Sequence, residues 1–592
     1  MSGSFGGLGL LAILGLLCGF VSGGVIILFR LFMDGAAAEF LPQNSIDRFE
    51  DLAPMSRFLL CLGGGLAVGL FLHLLKPTTR IVGVVHVLER LDYHEGYLPI
   101  RNAVVQFISA SIALLSGQSV GREGPSIHLG ATAGSILGRA LRIPNNSVRV
   151  MVGCGVAAAI AAAFNTPLAG VIFAMEVVIM DYSVIGFAPV IIAAVSATSL
   201  TRIVFGDDTA LVIPEFSIDA VREIPMMVIL GALIGCISAA FIHITLLTSS
   251  LFAKQQICLR ASIAGLFTGL IALFLPQVMG AGYDTVNDLL WAQIGLSSVL
   301  LLTVAKLLTS ATAIGLGIPA GLIGPTLFIG AAAGAAIGSI ASVFAPVTVG
   351  TGFYAMLGMA AMMAATLQAP LAALIYLLEL TANHAIILPG MAAVISALLV
   401  TRVVFNKSSI YQHLMLIRGL DYRNTPASKT LRRIGVASVM DRTIAMQPRY
   451  LTRQQATTLL QEQASPWLLL EANNEQKRSL FPISDLALYL SQLDAQEQAK
   501  TDVDINAKDA QSAAAETAEI NGESVPQIDL MSIPAKRLEA KPIGIIATLQ
   551  EAYEQMQLEN CEVLVVTGAH GATKERVYGV ITRENIERSY QP

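Results

Sequence analysis

Gly121-Arg122-Glu123-Gly124-Pro125 opens an apolar stretch, and these residue types in this order suit an anion. Glycines ahead of a helix start let backbone amides approach a ligand closely, and the helix dipole favours negative charge at that end. An anion in hydrocarbon needs oriented N–H groups and hydroxyls that replace water, whereas fixed lysines in the path would hold it too tightly. Glu123 lies inside this terminus, and a carboxylate at membrane depth is costly enough that function is its default reading. Ionised, it occupies an anion site and blocks the path. Protonated, it is neutral and swings aside, so it reads as a gate that senses both pH and anion.

Other chemistry-bearing residues are few. Lys306, inside an apolar run, has two open readings: a charge that raises the local potential for anions, or a partner for a buried carboxylate. His128, beyond the gate, reads as a packed histidine. The six cysteines, Cys18, Cys61, Cys154, Cys236, Cys258 and Cys561, stand singly without metal-ligand spacing and are expected as buried thiols. No Ser/His/Asp set, HExxH or paired-aspartate arrangement appears among the apolar segments, so neither an enzyme nor a metal or cofactor site is expected.

The elements that must position Glu123 are membrane helices. With 54% hydrophobic and 13% charged residues among 592, the chain is too apolar for a soluble protein of this size. A net charge of -5 provides no basic face for nucleic acid. Hydrophobic blocks run from Leu8 to Phe405, beginning with 8–32, which lacks a basic leader and is expected as the first membrane helix. Several blocks, such as 102–116 and 126–141, are shorter than the roughly 20 residues a straight span needs. Short, broken helices are expected where a site lies at mid-membrane depth.

Gly121–Gly138 (GREGPSIHLGATAGSILG) aligns without a gap on Gly321–Gly338 (GLIGPTLFIGAAAGAAIG). Phe164–Val177 (FNTPLAGVIFAMEV) follows on Leu367–Leu380 (LQAPLAALIYLLEL), placing Glu176 against Glu379. The membrane region is therefore two related halves. Repeats that share a central site are commonly antiparallel, which aims equivalent half-helices at the bilayer centre.

GREGP followed by SIHLG, KLLTSATAIGLGIPAGLIGP and AAFNTPLAG resemble the CLC family of chloride channels and proton-coupled chloride antiporters, over about residues 8–418. The resemblance implies an all-α polytopic membrane fold, an inverted repeat of two halves with broken helices. It also implies a homodimer with one anion path per subunit, carrying chloride or a similar small anion. Glu123 matches the gating glutamate, and Arg122 and Gly124, which flank it, are expected with it to bind the anion. Leu322 and Ile323 match the positions whose amides contact the central anion, and Tyr411 matches the tyrosine that lends a hydroxyl. Gly83 belongs to the inner loop that completes the anion path.

Two departures bear on mechanism. Where relatives show GSGIP, this chain reads Val82-Gly83-Val84-Val85-His86, so a serine hydroxyl is missing and ion preference stays open. Val177 stands where many antiporters carry the acid that passes protons from the cytosol. Channel members also lack that acid, so the first reading is a chloride channel gated by Glu123, with a proton-coupled antiporter second. A membrane-embedded sensor that transports nothing is a third. Glu176, about 100° round the helix from Val177, is either a substitute relay or a structural cap.

The soluble tail resembles a CBS pair, an α/β domain expected on the cytosolic side of an inner or plasma membrane. Units are expected at 434–490 and 528–592, on either side of a disordered insertion at 491–527. Thr582 and Asn585 lie in a stretch (ITRENI) resembling one whose acidic residue holds a nucleotide ribose. Asn585 occupies that acidic position, which weighs against adenine-nucleotide binding.

Overall fold

The computed structural model describes the chain apart from residues 1, 42–47, 181–183, 208–210, 212–219, 345–349, 382, 421–425, 462–466, 471–477, 509–526, 571–573 and 590–592. Two compact units result, one built on Met1–Ile143 and Ser147–Arg423, the other mainly on Asn424–Pro592.

The first unit is helical, and among its described residues eight helices are long and apolar enough to cross a membrane. Its helices repeat in order. Ser2–Phe40, Pro54–Leu74, Val84–Tyr93, Ile100–Leu115, Glu123–Ala140, Asn145–Phe164, Pro167–Phe173 and Val184–Phe205 make the first half. Ala220–Leu251, Ile257–Ala272, Tyr283–Leu290, Leu296–Gly315, Ile323–Phe344, Thr351–Leu367, Pro370–Thr381 and Ile387–Leu399 make the second. Packing repeats too, since Ser2–Phe40 lies on Val184–Phe205 as Ala220–Leu251 lies on Ile387–Leu399. Between the halves, Pro54–Leu74 packs on Ile257–Ala272, where a Cβ on Gly65 would stand 2.5 Å from the Ala261 carbonyl oxygen. Small residues permit this approach, the usual means by which helices associate in lipid.

The first helix begins before the expected 8–32 and runs on to Phe40, its C-terminal extension carrying Ala36-Ala37-Ala38, the strongest helix formers. Val84–Tyr93, Tyr283–Leu290 and Ile410–Ile417 are helices that hydropathy does not reveal, being 10, 8 and 8 residues long. Cys236 is exposed, contrary to the expectation of buried thiols.

The second unit has one six-stranded sheet in the order Ile444–Gln447, Trp467–Leu470, Ser479–Pro482, Leu538–Gly544, Val563–His570 and Lys574–Thr582. Its two expected units are interleaved. Ser479 and Leu480 pair with Glu539 and Leu538, joining them edge to edge. Leu431 and Val436 pack into the core of Leu549, Leu564 and Ile581, while Ile528, Leu530 and Ile533 pack with Leu451, Leu468 and Phe481. Each core thus borrows a segment from across the boundary read in sequence. Residues 491–508, expected to be disordered, continue the helix Ile483–Lys508. The Ala, Gln, Glu and Lys that deprive this stretch of a core are strong helix formers. The rest of that insertion, 509–526, lies outside the described residues.

Candidate functional site

Equivalent turns of the two halves meet at the centre of the first unit. The Gly121 N–H donates to the Gly321 carbonyl at 2.8 Å, and the Gly321 N–H donates to the Gly121 carbonyl at 2.6 Å. This antiparallel bridge joins residues that align in the repeat. A Cβ on Gly321 would stand 2.5 Å from the Gly124 nitrogen, so only glycine allows the two backbones to close. The helices Glu123–Ala140 and Ile323–Phe344 both start here, so two positive dipole ends converge on one place.

Glu123 is 0% exposed and sits in the first turn of its helix, N-capped by Arg122. Its Oε1 accepts a hydrogen bond from the Tyr283 hydroxyl, while Oε2 is buried with no hydrogen-bond partner among the described residues. Glycines enclose the carboxyl: a Cβ on Gly321 would lie 2.7 Å from Oε2, and one on Gly324 would lie 3.0 Å from Oε1. A carboxylate held this way keeps part of its desolvation cost uncompensated, several kcal/mol by order of magnitude. Protonation or exchange of place with a mobile anion relieves that cost.

Tyr283 escaped the sequence reading. It follows Gly280-Ala281-Gly282, and Gly282 caps the helix Tyr283–Leu290 at φ 77°, as Gly83 caps Val84–Tyr93 at φ 85°. Gly282 is therefore the second-half counterpart of Gly83, a signal that extending the repeat would have supplied. Lys306, fully buried, donates to the carbonyls of Val278 at 3.0 Å and Gly280 at 2.8 Å, tying down the turn that presents Tyr283. The Arg122 guanidinium lies 5.5 Å from the Tyr283 ring centroid. Phe164 meets the rings of Tyr283 at 6.3 Å and Tyr376 at 5.7 Å, and the Tyr376 hydroxyl is buried without a hydrogen bond among the described residues. Tyr283→Phe removes the donor that stabilises ionised Glu123, a charge-assisted bond worth about 1.5–3 kcal/mol. Anion flux is expected to rise at every pH at which Glu123 holds the site, because the carboxyl then leaves its place more readily. An unmoved flux–pH profile would deny the contact a role.

On the other side of the bridge, a chamber of about 380 Å³ is lined by Val82, Gly83, Gly321, Leu322 and Tyr411. Gly83, Leu322 and Tyr411 are thus brought together, while Ile323 is buried as the first residue of its helix. Val82 presents isopropyl where the resemblance expects a hydroxyl. Arg80, Arg260 and Arg418 also line the chamber and give it a cationic surface.

The family model described as voltage gated chloride channel matches residues 64–402. The chain belongs to that family. A ClcB-like protein of Ralstonia nicotianae is 33% identical over 58% of this chain and 81% of its own. The H(+)/Cl(-) exchange transporter ClcA of Vibrio cholerae is 32% identical over 54% of this chain and 71% of its own. Among solved structures, a slow cyanobacterial Cl-/H+ antiporter aligns at TM-score 0.59 and 22% identity, covering 71% of this chain and 99% of that one. A eukaryotic CLC transporter aligns at TM-score 0.56 and 19% identity over 97% of both chains, so the fold likeness extends through the tail. The protein is a multi-pass membrane anion transporter of the CLC family with an added α/β domain.

Within this CLC fold, Val177 is buried in a π-helical segment, Ala174–Ile179. Glu176, its neighbour, accepts from the amides of Leu371 at 3.1 Å and Ala372 at 2.7 Å, the first turn of Pro370–Thr381. Glu379 does the same for Leu168 at 2.8 Å and Ala169 at 2.7 Å, the first turn of Pro167–Phe173. Each half caps a broken helix of the other, so of the two roles open to Glu176 the geometry supplies the cap. Glu176→Gln, which leaves one amide without an acceptor, is expected to cost about 1–3 kcal/mol. That cost would appear as a lower thermal midpoint with proton movement per chloride unchanged, whereas lost proton movement at unchanged stability would make Glu176 a relay.

In the tail, Thr582 caps Arg583–Arg588, its hydroxyl accepting from the Asn585 N–H at 3.3 Å and meeting the Asn585 side chain. The two candidate nucleotide residues are brought together, but they satisfy each other.

Proposed function

We propose that this chain exchanges chloride for protons across the membrane, with Glu123 as the group that both anion and proton must engage. One observation carries the reading: a buried carboxylate, half of it without a hydrogen bond, clasped by glycines where two helix N-termini converge. Such a group yields its place by taking up a proton, which ties anion movement to proton movement at a single atom. The exchangers among its relatives supply chloride and proton as the pair. A homodimer with one path per subunit and a cytosolic tail complete the reading. In liposomes of purified protein, an imposed chloride gradient is expected to drive protons uphill. Chloride flux with no proton movement would reject exchange and leave passive conduction, the reading favoured by the apolar side chain at Val177.

A further inference from the structure

We propose that the buried imidazole pair His86–His128 carries the transported proton through the protein interior, in place of an acid at Val177; this rests on the exchange reading above. His86 is 3% exposed and His128 0%, and His86 Nδ1 lies 2.9 Å from His128 Nε2. A neutral imidazole has one donor and one acceptor nitrogen, so a bonded pair passes a proton in a single hop. His128 Nδ1 is buried with no hydrogen-bond partner among the described residues. An unsatisfied buried nitrogen is a cost to a pair that only packs, and a free terminus to a pair that conducts.

The placement fits this role. Val84 and Val85, just ahead of His86, line the inner chamber. Their helix packs against both Glu123–Ala140 and the segment holding Val177. His128 lies on the helix that begins with Glu123, five residues on, an axial rise of about 7.5 Å. The charged and titratable groups facing His86, besides His128, are Arg90 and His94 on its own helix and Arg418 after Ile410–Ile417. Glu89, on the same helix, shares its charge with those cations, and Glu176 beside Val177 is held by the amides of Leu371 and Ala372. In these surroundings a proton passes and does not lodge. A proton arriving at His86 Nε2 releases the one on Nδ1 to His128 Nε2. His128 Nδ1 then gives its proton, through water, to the Glu123 carboxylate, which becomes a carboxylic acid and leaves both imidazoles neutral and protonated on Nε2.

The test measures chloride and proton fluxes together in liposomes of the full chain. His86→Asn and His128→Asn keep a polar side chain and are expected to retain chloride flux while proton movement per chloride falls at least about tenfold, the factor in equilibrium that 1.4 kcal/mol represents. Val177→Glu on the His128→Asn background is expected to restore part of the coupling, which a packing role would not predict. Folded variants with unaltered coupling would overturn the relay while leaving exchange intact. Loss of chloride flux together with coupling, without rescue by Val177→Glu, would make the pair structural. An unaltered protein that moves no protons would overturn both readings, and that result is told apart before any variant is made.

Discussion

Glu123→Gln is expected to pass chloride at or above the rate of the unaltered protein, to lose the pH dependence of that flux, and to move no protons. The amide has nearly the shape of the carboxyl and can still accept from the Tyr283 hydroxyl, so the contact at Oε1 survives. What disappears is the negative charge that competes with an anion at the convergence of two helix dipoles. A titrating carboxylate changes its ionised-to-neutral ratio tenfold per pH unit, so the unaltered protein should show a steep flux–pH curve. The variant's flux should be flat across the pH range in which that of the unaltered protein changes. Chloride efflux with a chloride electrode and proton uptake with a pH electrode, on the same vesicles, check both halves. A variant that keeps the pH profile would remove Glu123 from the gate.

The second large effect is steric. In Gly321→Ala the new methyl would lie 2.5 Å from the Gly124 nitrogen, 2.7 Å from Glu123 Oε2 and 2.9 Å from the Gly121 carbonyl. Two of those atoms are backbone and cannot rotate away, so the bridge must open. Overpacking of this kind costs about 1–3 kcal/mol of stability. Displacing groups positioned at a reacting centre by an ångström costs on the order of 100-fold in rate, and a loss of that size in chloride flux is expected. Gly24→Ala is the control, since a Cβ there meets nothing within 4 Å and should leave flux unchanged while the thermal midpoint holds or rises. Transport at full rate by Gly321→Ala would mean that the turns need not touch.

The exchange and channel readings differ over Val177, and the structure changes how that residue weighs. In sequence, an apolar residue there argues against a proton path, because one position is asked to supply the acid. In the folded chain the same segment packs on the helix carrying His86, whose imidazole meets His128. Loss of an acid at one position then no longer excludes a route beside it.

Much of the site was legible in the chain itself. The repeat, the glycine-proline turns and one acidic residue inside an apolar terminus point to two equivalent helix ends with Glu123 between them, because hydropathy, glycine spacing and charge burial are local properties. Other features depend on partners far away in sequence. Glu176 and Glu379 look alike as buried acids, and only the fold shows that each caps a helix of the opposite half, 195 and 211 residues away. Tyr283 and Tyr411 sit on helices of 8 residues, too short and too mixed to leave a hydropathy signal. His128 reads singly as a packed histidine and His86, 42 residues away, carries no reading of its own until tertiary contact sets their nitrogens 2.9 Å from each other. The tail shows the same limit, since its two units exchange segments whose apolar residues say that they are buried but not in which core. Local chemistry thus pointed to the kind of ligand, and long-range packing decided which side chains lie together.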